Sequence, residues 1–586
     1  MSQGILRLLF GLTVFFSCQT AAHANPADEQ SSETDKGARA MVRQIKVTAD
    51  KAPDCSSLKS IVESVTRGCR TNDERSIAIY NFVRMTHYHR DYPREEGGIA
   101  ALKLINCYGW SLCGGLHTVQ AALWRELGWP WRYIGWRSPG HTTVEAQYDG
   151  RWHYLDVFLK FYVWKAAADA PGGRTIASQA DIRAVPALVT EGLTYDTARK
   201  VCYHADCRPV SADGSTNWRA PAFLVCGDDM EGVLKGVNNS RDAGSPTAWN
   251  AIKFDEDGYS TDVNLAPGYS LTLTWDAIEG AHWWSGRTEA PYHGCTDKDY
   301  RNCPALGPVL EPYAPSGGRR RSFANGRLIF APELKSDAFL TTLASKQNVK
   351  LQDGKIVPAD PAKPASITVV LSSPYVMTQA RGRVAGADKV EVSVDGGKTF
   401  KPVSIDDFSQ AVAGKYACLA RLTFASALQS LELEAVVQCN RCALPYLSPG
   451  SNAITVSALD PRELGDSRLV VTYAYRPGWR DCSYDELCKE GATIGSAQKA
   501  HWTPTATVVQ KTFTAKDLPA TFQINVPTPK DKYPVYPRML FLRREIVAPG
   551  AQLLPLPSDA ASPKVGPDDV LKTLPNPFLM GARRSG

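Results

Sequence analysis

The sequence predicts an α+β domain near the N-terminus followed by all-β domains of sandwich type, and three observations carry that prediction. Between Cys55 and Leu193 a helical periodicity gives way to strand-like alternation. Within it, GGLHTVQAALWRELG lines up Leu116, Val119, Leu123 and Leu127 on one stripe before Gly128 and Pro130 stop it, which is a helix with a defined end. Beyond about residue 220 the pattern changes to short β-branched runs punctuated by Gly, Pro and Asn.

The elements follow in order. Met1 to Ala24 has one arginine, an apolar run from Leu8 to Phe16 and the small-x-small ending Ala22-His23-Ala24, so it reads as a secretory signal peptide; a lipoprotein site at Ser17-Cys18 fits less well. Residues 25–52 are polar and lack periodicity, as expected of a flexible leader. The α+β domain is expected over 53–195. In it, TNDERSIAIYNFVRMTHYH places Asn72 or Asp73 as an N-cap ahead of Ile77, Ile79, Tyr80, Val83 and Met85. The runs LTLTW (271–275), SITVVL (366–371) and VEVSV (390–394) are expected strands of a β-rich domain at 196–360 and an immunoglobulin-like or fibronectin-like sandwich at 361–460, with a further β-rich domain at 461–548. From 549 to 586 the chain is Pro-rich and is expected to be an extended or disordered tail.

Composition restricts the function classes. At 586 residues there is room for about three or four domains. A net charge of +6 is small for that length, and the single tight basic cluster, Arg319 to Arg321, lies in a Gly/Ser loop, so nucleic-acid binding has little support. No stretch is a membrane span. Beyond Cys18 there are fourteen cysteines, and for an exported chain Cys202/Cys207, Cys295/Cys303 and Cys482/Cys488 read as local disulfides. Cys439-Asn440-Arg441-Cys442 lacks the second pair a structural zinc site needs, so a tight disulfide is expected there. One free nucleophile among fourteen leaves an odd remainder, with Cys107 the candidate second thiol.

The stretch NCYGWSLCGGLH carries the chemistry. Ser111 is placed to cap the helix, which puts Cys113 in its first turn, where unsatisfied N–H groups and the helix dipole favour a thiolate. Gly114 and Gly115 leave room for a substrate carbonyl. A base and a group to hold it come from GHTTVEAQYDGRWHYLDVF. If Asp149-Gly150 is a two-residue hairpin turn, Tyr148 faces Arg151, Thr143 lies across from Asp156, and His141 lies across from Phe158. His141 and Asp156 then share a face as diagonal neighbours, with Cβ atoms roughly 7 Å apart. His153 points the other way. Glu145 shares the face but lies roughly 13 Å along the strand from His141.

Cys113 in Gly-Trp-Ser-Leu-Cys-Gly-Gly opening a helix, Gly140-His141 opening a strand with Val144-Glu145, and Asp-Gly-Arg-Trp-His-Tyr-Leu-Asp156 together resemble the transglutaminase-like core, part of the papain-like cysteine-enzyme superfold. The resemblance covers about residues 70 to 165. It implies Cys113 as nucleophile, His141 as general base and acid, and Asp156 as the group orienting the imidazole. It implies acyl transfer through a thioester, with no cofactor or metal. Trp110 and Tyr108 are candidates to line the cleft, and the backbone around Cys113 and Gly114 to form the oxyanion hole. The aromatic residue that the family often has two positions after the histidine is Thr143 here, and the calcium sites of the animal enzymes are not recognised. His117, one turn after Cys113, reads as a packed residue.

Weaker signals take structural readings. SVDGGKTF (393–400) matches one Asp-box but suits a hairpin better, DEDG (255–258) reads as an acidic turn, and His282-Trp283-Trp284 with Tyr292 read as core aromatics. Two functions from different classes remain. One is an exported cysteine enzyme acting on amide bonds of a protein or peptide, peptidase or amidase rather than cross-linker, with β domains that present it to the cell envelope. The other is a non-catalytic binding or scaffold protein of the cell surface or polysaccharide.

Overall fold

The computed structural model describes residues 41–89, 98–138, 140–159, 161–192, 194–196, 201–203, 217–219, 230–242, 252–253, 258–278, 280–283, 323–480, 500–530 and 533–557, together with Pro93 and Glu95. The N-terminal domain is built on three helices, α1 (Leu58–Val65), α2 (Asn72–Thr86) and α3 (Cys113–Glu126). Helix α3 is central: it packs on α1 and α2 on one side and on a four-stranded antiparallel sheet on the other. Its residues 114–124 are all buried, so it is a core helix rather than an amphipathic surface one. With β1 as Lys46–Ala49, the sheet comprises β2 (Trp131–Arg137), β3 (Gly140–Tyr148), β4 (Arg151–Tyr154) and β5 (Ser240–Asp242), in the order β5-β2-β3-β4.

Two helix starts differ from expectation. The N-cap of α2 is Thr71, whose hydroxyl accepts the Glu74 N–H at 3.1 Å. Asp73, buried inside the first turn, instead accepts from Tyr148 Oη (2.7 Å), Thr175 Oγ1 (3.2 Å) and the Ile176 N–H (3.3 Å), which ties α2 to the sheet. Helix α3 is capped by the extended residue Leu112 without any side-chain bond. Ser111 lies one position too early, because its backbone is part of a short strand, Trp110–Ser111, paired in parallel with Tyr88–His89.

The strands beyond residue 260 form a β body. Its largest sheet, of eight strands, contains β6 (Tyr269–Thr274), β7 (Phe323–Phe330), β8 (Val376–Ala385), β9 (Ser430–Asn440), β10 (Arg468–Arg480) and β11 (Tyr533–Val547). They run in the order β8-β9-β7-β6-β11-β10, continued by Ala500–Trp502, with Thr507–Phe513 also on β10. The boundaries expected at 360 and 460 therefore fall between strands of one hydrogen-bonded sheet. A five-stranded sheet carries Ala365–Ser372 and Lys389–Ser393. There the SVDGGKTF stretch connects paired strands, Glu391 opposite Pro402 and Val392 opposite Lys401, as a hairpin does. The leader was expected to be flexible to residue 52, but β1 pairs antiparallel with Gly450–Ser457 over its whole length. Its alternating burial explains the pairing: Val47 and Ala49 face the core while Lys46 and Thr48 do not. Trp283 packs against the core, whereas Trp284, Tyr292 and residues 255–257 lie outside the described residues.

The seven cysteines with described side chains stand as thiols. The expected Cys439–Cys442 disulfide is absent. Cys439 stays in the β9 ladder opposite Ala324, while the turn after Asn440 carries Cys442 toward Cys55, with which it interacts electrostatically. Cys107 is a buried thiol, its Sγ 3.4 Å from the Pro374 carbonyl. The side chains of the three expected local pairs lie outside the described residues.

One hydrophobic core runs from the N-terminal domain into the β body. At the junction, Asn440 on β9 donates through Nδ2 to the carbonyls of Thr86 (3.0 Å) and Ile105 (2.7 Å), and Gln438 Nε2 donates to the Cys107 carbonyl (3.1 Å). Asn440 rests on Gly109, where φ is +75° and a Cβ would lie 2.6 Å from Asn440 Nδ2. Gly109 thus needs both its left-handed backbone and its missing side chain. Gly109→Ala is expected to destabilise the protein by about 2–5 kcal/mol, the sum of left-handed strain and overpacking. A lowered urea midpoint measures it.

Candidate active site

The hairpin that builds the site forms as the Asp-Gly signal predicts. Tyr148 pairs with Arg151, Gln147 with Trp152, Ala146 with His153 and Glu145 with Tyr154. Asp149 and Gly150 both have positive φ, +49° and +73°, the turn whose twist matches paired strands. The ladder stops at Tyr154, so Thr143–Asp156 and His141–Phe158 are not ladder pairs; Asp156 instead bridges to Phe161. The shared face survives this departure. His141 Nε2 lies 2.7 Å from Asp156 Oδ2.

Asp156 has no exposed surface and is surrounded by donors. Besides His141, Tyr154 Oη donates to Oδ2 (2.7 Å), and the N–H groups of Phe158 (2.9 Å) and Leu159 (2.7 Å) donate to Oδ1. His117 Nε2 approaches Oδ1 at 3.5 Å. Burial alone raises a carboxyl pKa, but the charges of His141 and His117 and the hydrogen bond from His141 outweigh it and hold Asp156 well below the usual carboxylate range. For His141, burial pulls the pKa down. The Asp156 charge and hydrogen bond, with a hydrogen bond and charge from Cys113, push it up to about 10. Since Nε2 is taken by Asp156, Nδ1 is the nitrogen left for the sulfur. The imidazole is flanked by Trp136 and Phe158, with ring centroids 5.0 and 5.4 Å away.

Cys113 opens α3 and is partly exposed, unlike the other thiols nearby. Burial pushes Cys107 up to about 12 and Cys55 well above the ordinary range, which keeps them protonated and inert. Gly114 sits in the same first turn and is buried. The first intrahelical bond runs from Leu116 N to the Leu112 carbonyl (3.0 Å), so the helix itself leaves the earlier N–H groups unused. Tyr108 and Trp110, expected to line the cleft, are instead core residues, 1% and 0% exposed, in edge contact at 5.2 Å. The Tyr108 hydroxyl reaches Glu95, and Trp110 lies in the short strand before Cys113, so both support the loop from beneath.

Glu145 is turned away from His141 by Arg132 (2.7 Å) and by the Gln179 N–H (2.7 Å). Gln179 also accepts from Trp136 Nε1 and donates to Thr143 Oγ1, both at 2.7 Å. Position 143 is therefore part of a polar network that fixes Trp136 against His141. His153 points to the opposite side, stacked on Tyr148 at 3.6 Å, as its parity requires. His117 is the residue the sequence reading undervalued. Its Nδ1 bonds the Cys113 carbonyl (2.7 Å), and its Nε2 faces Asp156 at 3.5 Å, so one ring lies between the first turn of α3 and the carboxylate. The i, i+4 spacing from Cys113 was the available signal. His117, His141 and Asp156 have ligand atoms within 4.8 Å of one another, a spacing a metal ion can use. Four hydrogen bonds already occupy both Asp156 oxygens, and the donor set reads as a hydrogen-bond network.

These features define an α+β domain with a cysteine at the start of a helix and a strand histidine bonded to a buried aspartate. Residues 59–163 match the family model of the transglutaminase-like superfamily, and this segment is a transglutaminase-like domain. No curated protein and no solved structure matches the chain.

The raised His141 pKa makes a signed prediction. The proton that His141 gains on folding contributes stability that is fully present below about 6.5, its ordinary unfolded value, and is lost as pH rises through about 10. The difference in urea midpoint between wild type and His141→Asn should be widest near pH 6 and shrink steadily toward pH 10.

Proposed function

We propose that the protein is an exported cysteine acyl-transfer enzyme acting on amide bonds of protein or peptide substrates, with Cys113, His141 and Asp156 as its triad. The observation that carries this reading is the 2.7 Å His141–Asp156 pair; Cys113 at the start of α3, with Asp156, raises the proton affinity of the same imidazole, which supports it. The transglutaminase-like match supports a cysteine enzyme, and the signal-peptide pattern at residues 1–24 supports export.

The chemistry follows from the placement of protons. The Cys113 sulfur attacks the amide carbonyl carbon, and N–H groups at the start of α3 stabilise the developing oxyanion. His141, held protonated by Asp156, gives its proton to the leaving amine as the C–N bond breaks, leaving a thioester. The now neutral imidazole takes a proton from water, which attacks the thioester and releases the acid and the thiol. Hydrolysis is proposed over cross-linking because water requires no second substrate site. Asp156 keeps the ring oriented throughout, and His117 fixes the Cys113 carbonyl relative to that carboxylate.

Incubation with a peptide library and a fluorescent primary amine tests the reading. Cleaved ends are expected, and Cys113→Ala should abolish them. His141→Ala should lower kcat/KM by about 10²–10⁴ and reduce iodoacetamide labelling of the native thiol. His117→Leu, which removes one linking hydrogen bond, should lower kcat/KM by about 10-fold. Labelled glutamines without cleavage would turn the assignment to transamidation. A Cys113 that resists iodoacetamide until denaturation would remove the enzyme reading.

A further inference from the structure

Arg544 is a buried cation that the fold leaves uncompensated. It lies on β11 opposite Leu271 and Val471, on the face it shares with the core residues Leu542 and Ile546, where strand alternation calls for an apolar side chain. It is 6% exposed. The neighbouring Arg543, on the other face, is fully engaged: Nε donates to Thr272 Oγ1 (2.9 Å), Nη1 to the Leu554 carbonyl (3.0 Å) and Nη2 to the Pro555 carbonyl (2.9 Å). Arg544 Nε has no partner among the described residues, and the groups that favour its charge are the phenols of Tyr375 and Tyr473. Among the described residues no carboxylate acts on it. The Tyr473 hydroxyl is already committed to the Pro445 carbonyl (3.1 Å).

The guanidinium lines a cavity of about 320 Å³ between the N-terminal domain and the β body, bordered also by Lys46, Asp54, Ser56, Asn106 and Tyr375. The lining also carries Asp262; Lys46 pairs with Asp54 at 2.7 Å and Asp262 accepts from Gln44 Nε2 at 3.1 Å, so Arg544 is the cation of this lining with no ion pair among the described residues. A buried guanidinium without an anion is strongly disfavoured, and its planar fork matches carboxylate and phosphate oxygens. We propose that this cavity binds a small molecule bearing a carboxylate or phosphate group, with Arg544 as the counter-ion and the Tyr375 hydroxyl as a further donor. The volume lies at the small end of ligand sites, about 300–1,000 Å³, which suits a headgroup with a few further atoms. The lining shares no residue with the Cys113 network, so the assignment does not depend on the proposed enzyme activity.

Phenylglyoxal modification of the full chain, read by peptide mass spectrometry, tests it with phosphate, sulfate and succinate as probes. A probe at ten times its dissociation constant should slow modification of Arg544 by about 10-fold. Arg462, 89% exposed, should react unchanged and serves as the internal control. Protection by phosphate and sulfate alone assigns a tetrahedral anion, protection by succinate alone a carboxylate, and protection by all three an oxyanion site that accepts both. In Arg544→Met, the probe-dependent rise in melting temperature should vanish while the probe-free melting temperature stays level or rises, because an uncompensated buried charge has been removed. The proposal fails if no probe protects Arg544, or if probes raise the melting temperature equally in wild type and Arg544→Met. Should the variant not fold, the protection experiment on the wild type decides alone.

Discussion

The buried carboxylate of Asp156 is the constraint on which the N-terminal domain is organised. An ionised group without exposed surface persists only when its oxygens are met by donors, and here those donors come from separate parts of the chain. His141 comes from β3, Tyr154 from the end of β4 and two N–H groups from the turn after it, while His117 on the first turns of α3 approaches Oδ1 at 3.5 Å. None of these groups completes the shell alone. The helix and the hairpin must dock in one register for His117 to come within 3.5 Å of this carboxylate and for His141 to bond it. Stability and site geometry are in this way one requirement.

The β body contributes the other half of that geometry. Leu112 caps α3 with no side-chain bond, so the position of Cys113 depends on the segment before it. That segment is held from below by Gly109 against Asn440 and by Gln438 on the Cys107 carbonyl. A second tether is polar. Glu95 accepts from Tyr416 of the β body (2.5 Å) and pairs with Lys103 (2.8 Å), which also lies over the Tyr416 ring at 4.7 Å. With a core continuous across this junction, the transglutaminase-like domain is one face of a larger unit rather than an independent module.

What was legible in the sequence was chemistry that acts over short distances. Asp149-Gly150 specifies its turn through backbone preference, and once the turn is set, parity alone puts His141 and Asp156 on one face and His153 on the other. Gly128 ends α3 with φ at +72°, as a glycine there predicts. The misreadings share a different cause. Ser111 looked like a cap because its pairing with His89 cannot be seen locally, and Tyr108 and Trp110 looked like cleft residues because an aromatic side chain does not reveal which way its backbone turns. β1 looked like leader because its partner lies some four hundred positions away. The sheet that crosses the expected divisions at 360 and 460 is invisible for the same reason: strand patterns show that strands exist, while the ladder that joins them is a tertiary property.

Two of the buried charges, Asp156 and Arg544, show how much information a desolvated ion carries. Both occupy positions where the surrounding pattern is apolar, and by the same electrostatics neither is favourable alone. The chain completes Asp156 from its own residues, down to the backbone N–H groups of the turn that follows it, and the finished shell is what gives His141 its high proton affinity. Around Arg544 it supplies only neutral phenols, although the adjacent Arg543 shows that donors on this same strand are readily satisfied by carbonyls of residues 554 and 555. The contrast within two consecutive residues excludes a general lack of acceptors near β11. It locates the missing charge in the cavity that Arg544 borders, and separates a site the protein finishes by folding from one whose electrostatics are finished by what enters it.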